Sequence, residues 1–175
     1  MARDATGKRK SSEDLENLRR SFMPPRVRLL FVGESPPAGG TFFYLGNSTL
    51  YKYTEEAFAK VNGTRANAQP SGFLNFFRDC GCYLDDLCLE PVNHLAGPDK
   101  RRACKASVPD LARRLASLRP DAVVAVKKTL DGDVRKALSL AGVPDLPLSV
   151  LPHPAFGNQK RYVEGLVERL RALKV

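Results

Sequence analysis

The chain has 175 residues, 43% of them hydrophobic, and sets 28 Lys and Arg against 19 Asp and Glu for a formal charge of +9. That length and apolar content suffice for one domain whose core needs neither disulfides nor metals, and no apolar run approaches the ~20 residues that span a bilayer. The charge favours a polyanionic partner, nucleic acid first, although basic composition also occurs in many proteins that bind none.

In chain order, residues 1–10 (MARDATGKRK) are polar and aperiodic and read as a mobile basic arm, with residues 11–175 as the single domain. The charged amino end lacks the apolar stretch of a signal peptide, so a cytoplasmic protein without membrane contact is expected. Ser11 or Ser12 caps a short helix through Leu15, Leu18 and Phe22 that Pro24 and Pro25 end. Val27 to Pro37, VRLLFVGESPP, is an apolar strand that stops at a tight turn carrying Glu34. The next loop holds Phe42, Phe43 and Tyr44, which either plug the core or stack a base. Helical spacing then runs from Leu50 to Val61, a polar connection spans Gly63 to Gly72, and a short helix to Asp79 turns Phe73, Phe76 and Phe77 inward.

Tyr83 to Leu89, YLDDLCL, is a second strand interrupted by two carboxylates, which a strand tolerates only near its end. Asp85 or Asp86 therefore belongs at the carboxyl mouth of the sheet, either capping backbone amides or facing a crevice. EPVNHLAGPDKRRACK reads as a long basic loop with Lys100, Arg101, Arg102 and Lys105; its His94 reads as a surface residue. A capping box at Ser107–Asp110, with Pro109 in the first turn, opens a helix striped by Leu111, Leu115 and Leu118, with Arg113, Arg114 and Arg119 off the stripe. DAVVAV (121–126) is a buried third strand, a helix covers Asp131 to Ala141, and PLSVLPHP ends a fourth strand at His153. Tyr162, Val163, Leu166, Val167 and Leu170 mark a last amphipathic helix. This rhythm predicts an α/β fold, a three-layer αβα sandwich around a mostly parallel four-stranded sheet. In such a sheet the loops at the carboxyl ends of the strands converge, so Glu34 and His153 can face one another across a crevice. Cys80, Cys82, Cys88 and Cys104 form no C-x-x-C pairs and read as free thiols.

Four stretches together resemble the uracil-DNA glycosylase superfamily over nearly the whole chain: Gly33-Glu34-Ser35-Pro36 as a G-x-x-P turn after the first strand, His153-Pro154-Ala155 as an H-P-[SA] turn after the last, FLNFFRDCGCYLDDLCLEP and LRPDAVVAV between them. The resemblance is nearest to members whose first turn reads GEAPG. It implies a monomeric, monofunctional DNA glycosylase of base excision repair, which flips a damaged or deaminated base such as uracil out of single-stranded or duplex DNA. His153 would donate to the base oxygen, Glu34 with the backbone from Gly33 to Ser35 would position water, and one of Phe42, Phe43 or Tyr44 would stack the base. Asp86 or Asp85 falls at the base-reading position, Lys100, Arg101 and Arg102 would meet phosphates, and Phe156, Asn158, Gln159, Lys160 and Arg161 would follow the groove-probing loop. No metal or cofactor is implied: the GEAPG members carry an iron–sulfur cluster on four cysteines, two near the amino end, and no cysteine precedes Cys80 here. Two further departures matter. Ser35 stands where the most familiar members have Asp, which leaves general-base work to Glu34. The base-reading amide of uracil-specific members is a carboxylate here, which favours a base edge presenting a donor. Two rival functions use the same features, a nucleic-acid-binding module that has lost catalysis and a site for a free nucleoside or nucleotide.

Overall fold

A computed structural model describes residues 11–63 and 70–175; the expected amino-terminal arm, and most of the expected connection before Gly72, lie outside the described residues. Four strands, β1 (Leu29–Gly33), β2 (Cys82–Asp86), β3 (Ala122–Ala125) and β4 (Leu148–Val150), form one sheet in the order β2-β1-β3-β4. Every pairing is parallel, with Leu29 opposite both Cys82 and Ala122, and Val123 opposite Leu148. β1, β2 and β3 are buried along their whole length, as strands covered on both faces must be, and this is why β1 and β3 read as unbroken apolar runs, whereas β2 ends in two buried carboxylates.

Among the described residues six helices flank the sheet: α1 (Ser12–Ser21), α2 (Thr49–Asn62), α3 (Pro70–Asp79), α4 (Gly97–Leu118), α5 (Asp131–Leu140) and α6 (Gln159–Leu173). The chain steps from β1 to β2 in one direction and from β2 through β3 to β4 in the other. Right-handed crossovers therefore place α2 and α3 on one face and α4 and α5 on the other. α2 packs against α6, and α4 against α5, which completes the expected three layers. The core between them includes Phe31, Phe58, Phe73, Phe77, Leu111 and Tyr162. Among the described residues no helix is long and apolar enough to cross a membrane.

Local signals explain most boundaries. Ser11 caps α1 and closes a reciprocal box with Asp14, Ser48 caps α2, and Gly63 ends α2 in the left-handed conformation. The basic segment after β2 departs from expectation. It is not a loop, because α4 begins at Gly97 with Pro98 in its first turn, so Lys100, Arg101, Arg102 and Lys105 ride on a helix. Ser107 does not cap a helix either: its Oγ donates back to the Ala103 carbonyl at 2.9 Å. Pro109 stands inside α4 on its exposed side. A proline there costs about 3 kcal/mol. Burying Val108, Leu111 and Leu115 at roughly 1.5–3 kcal/mol each outweighs it, so packing overrides the local break.

Two more boundaries move. β2 stops at Asp86, although Leu87 N donates to Gly33 O at 2.8 Å and Cys88 N to Glu34 O at 3.0 Å, which ties the following residues alongside the β1 turn. α6 starts at Gln159, so Gln159, Lys160 and Arg161 belong to its first turn and not to a loop. The loop before it is short and is held by Asn158, whose Nδ2 donates to Ala155 O at 3.1 Å.

Candidate functional site

A cavity of about 740 Å³ opens at the carboxyl ends of β1, β3 and β4. This is where the strand order reverses, the position at which open parallel sheets place their ligands. The turn after β1 supplies Glu34 and Ser35, the residues after β3 supply Lys127 and Lys128, and the turn after β4 supplies His153. The two prolyl turns thus bring Glu34 and His153 to one wall-lined space, as the strand-end pattern predicts.

Glu34 is half-buried and fully engaged. Lys127 Nζ donates to its Oε1 at 2.7 Å and Lys100 Nζ lies 2.7 Å from its Oε2. Burial alone pushes the carboxyl up, but the hydrogen bonds from Lys100 and Lys127, with their charges, outweigh it and hold the group below the ordinary carboxylate range. Lys100 therefore faces the cavity carboxylate, not solvent phosphate as the basic-run reading has it. No motif in the chain selects Lys127, yet it follows the buried DAVVAV run by one residue, and the strand-end rule that selects Glu34 and His153 applies to it too. Ser35 Oγ accepts from Val92 N at 3.2 Å, so it braces the segment after β2 beneath the same turn.

His153 stands at the solvent-exposed mouth, with protein atoms crowding its inner side. Burial and the Lys127 charge lower its pKa, with Glu34 pulling the other way, which favours the neutral imidazole. Phe156, three residues on, lies at the rim with a φ of 52° and a fully exposed ring.

The aromatic loop divides. Phe42 and Phe43 are buried and line the cavity. Tyr44 does not line it: its hydroxyl accepts from Leu84 N at 2.7 Å and donates to Leu84 O at 3.0 Å, it stacks on Phe22, and its ring is core. The base-stacking expectation thus narrows to Phe42 and Phe43.

Of the two carboxylates at the end of β2, Asp86 lines the cavity and Asp85 does not. Arg19 of α1 donates to Asp85 Oδ1 at 2.8 Å and to Asp86 Oδ2 at 2.5 Å, and Arg114 donates to Asp85 Oδ2 and to the Asp86 carbonyl, both at 2.6 Å. Asp85 Oδ1 also accepts from Asp86 N at 2.8 Å, the amide-capping alternative that the sequence leaves open. Arg114, expected off the packed stripe, instead reaches back to the sheet. Burial raises the Asp86 carboxyl to about 6 even with Arg19 beside it. Its Oδ1 hangs over Gly33, where any Cβ would overlap it, so the glycine after the β1 apolar run is required by close approach. No motif selects Arg19 either, although it sits four residues after Leu15 and so shares the buried face of α1.

Elsewhere, Arg101, Arg102 and Lys105 are exposed along α4, Lys128 is exposed at the cavity, and Lys160 and Arg161 are exposed in the first turn of α6. Cys88 and Cys104 lie 3.8 Å apart at sulfur and both are reduced. Two thiols do not make the four-cysteine set of an iron–sulfur cluster, and among the described residues no three His, Cys, Asp or Glu side chains gather as a metal site. No protein-family model matches the chain, and no curated protein matches it.

Proposed function

We propose that the protein is a DNA glycosylase that flips a damaged or deaminated base into the cavity and hydrolyses its N-glycosidic bond. The observation that carries this reading is the convergence of Glu34 and His153, from turns near opposite ends of the chain and on either side of β3 in the sheet, on a cavity lined by Phe42 and Phe43 and by Lys127 and Lys128. A base enters the cavity, stacks on Phe42 or Phe43, and meets Asp86 along its hydrogen-bonding edge. As the C1′–N bond breaks, its electron pair moves onto the base, and neutral His153 donates to the oxygen that becomes anionic. Water attacks C1′ and passes its proton to Glu34, whose negative charge also favours the electron-poor sugar. Phe156 fills the space that the extruded nucleotide leaves.

A binding module without catalysis is the second reading. What favours it is that both oxygens of Glu34 already hold ammonium groups. One experiment separates the two: oligonucleotides containing uracil, hypoxanthine, xanthine or ethenocytosine are incubated with the protein and then treated with alkali to cleave abasic sites. The glycosylase reading expects cleavage with at least one base, and a loss of about a hundredfold or more in a folded His153→Ala variant, as when a preorganised donor to a developing anion is removed. Binding to every strand without cleavage of any favours the module.

A further inference from the structure

The ammonium group of Lys127 acts on both titratable side chains that the proposed reaction uses. β3 lies between β1 and β4 in the sheet, so the residues just past its end stand between the Glu34 turn and the His153 turn. Lys127 donates to Glu34 Oε1 at 2.7 Å, and it is only about one third exposed, lining the same cavity as His153.

We propose that Lys127 is a positioning residue for this site: its ammonium group fixes the Glu34 carboxylate at the cavity wall, and its charge opposes a second positive charge on His153. One lysine just past the end of a central strand thereby sets an anionic acceptor on one side of the bound base and a neutral donor on the other. The roles of Glu34 and His153 rest on the glycosylase reading, whereas their coupling through Lys127 is a property of the free protein.

The surrounding charges leave this assignment to Lys127. Asp86, at the end of β2, is committed to Arg19, with Arg114 behind it on the Asp86 carbonyl. From α4, Lys100 meets the other Glu34 oxygen, and Cys104 senses the same carboxylate, with its thiol pushed up to about 12 chiefly by burial and then by Cys88. Asp133 of α5 acts on Cys104, and Lys128, exposed where it lines the cavity, is not among the charges that act on His153. The groups that act on His153 are Lys127, which disfavours its proton, and Glu34, which favours it. With Lys127 gone, Glu34 is left to draw a proton onto the imidazole, so the midpoint must rise. With Glu34 neutralised, the midpoint must fall.

The test is an NMR titration of the imidazole ring protons in the full chain. The two histidines are His94 and His153, so a His94→Gln background leaves a single imidazole to follow. Lys127→Met is expected to raise the His153 midpoint by about half a pH unit or more, Lys127→Arg to keep it near the parent value, and Glu34→Gln to lower it. Lys127→Gln serves if the methionine variant does not fold. Base release by the Lys127→Met protein at pH 7 should fall about tenfold, with the acid limb of its pH profile moved to higher pH and largely restored by Lys127→Arg. An unmoved His153 midpoint in a folded Lys127→Met or Lys127→Gln protein overturns the proposal, even if base release falls. A midpoint that moves as expected in a protein that releases no base upholds the coupling and removes the glycosylase reading alone.

Discussion

The guanidinium of Arg19 grips the Asp86 carboxylate at 2.5 Å, so a helix near the start of the described chain holds the acidic group that ends β2 and faces the cavity. Both side chains are almost wholly buried, and Arg19 also lies 5.6 Å over the Phe42 ring. The Arg19 Nε has no partner among the described residues, which leaves the guanidinium's hold on the fold to its two terminal nitrogens. α1 is thus tied to the cavity-facing end of β2 through the ion pairs of Arg19 with Asp85 and Asp86.

Arg19→Met should destabilise the fold by about 3–5 kcal/mol, the range for leaving a buried charge without its partner. The pH dependence has a definite sign. The folded-state Asp86 group is raised to about 6 from 3.8, so its own contribution to stability is present below the unfolded value and lost as pH rises through 6. Without Arg19 the carboxyl titrates higher still. The deficit of the variant in urea unfolding should therefore be smallest near pH 4 and grow as pH rises through 6. Adding Asp86→Asn to Arg19→Met should recover part of it, and a deficit independent of pH would show that lost packing, not charge, dominates.

Gly33→Ala tests the close approach beneath Asp86. The added Cβ overlaps Asp86 Oδ1, and Arg19 keeps that carboxylate from yielding. Overpacking of this kind costs about 1–3 kcal/mol. The expected result is a lower thermal midpoint and slower base release, with the stability loss relieved when Asp86→Ala opens the space. A full-strength Gly33→Ala protein would mean that the β1 end has room the geometry denies it.

Replacing Arg101, Arg102 and Lys105 together by Ala should weaken binding to all DNA sequences alike and reduce the salt slope by about 0.9 for each phosphate no longer neutralised. Lys100 is left in place because it holds Glu34. The Arg102–Asp99 pair, 3.6 Å apart and exposed, contributes little to stability and should not confound the result. Fluorescence anisotropy across a salt series reads the slope, and an unchanged slope would assign these cations to a solvated face of α4.

What the sequence determines by itself is the layered α/β fold and the two strand ends that matter most. β1 and β3 are legible because burial on both faces demands an unbroken apolar run, and Glu34 and His153 because each is a titratable residue in a prolyl turn just past a strand, which places it at the carboxyl end of the sheet. The start of α4 is not legible, since Pro109 and the Ser107 box are genuine local signals that yield only to a packed face spread over several turns. The tertiary structure alone decides which cations belong to the site. Lys100 comes from a helix and Lys127 from another strand end to share one carboxylate, and Arg19 crosses 67 positions to reach Asp86. Charge pairs of that kind depend on distances across the fold, which leave no period in the chain, whereas burial repeats with every turn and strand.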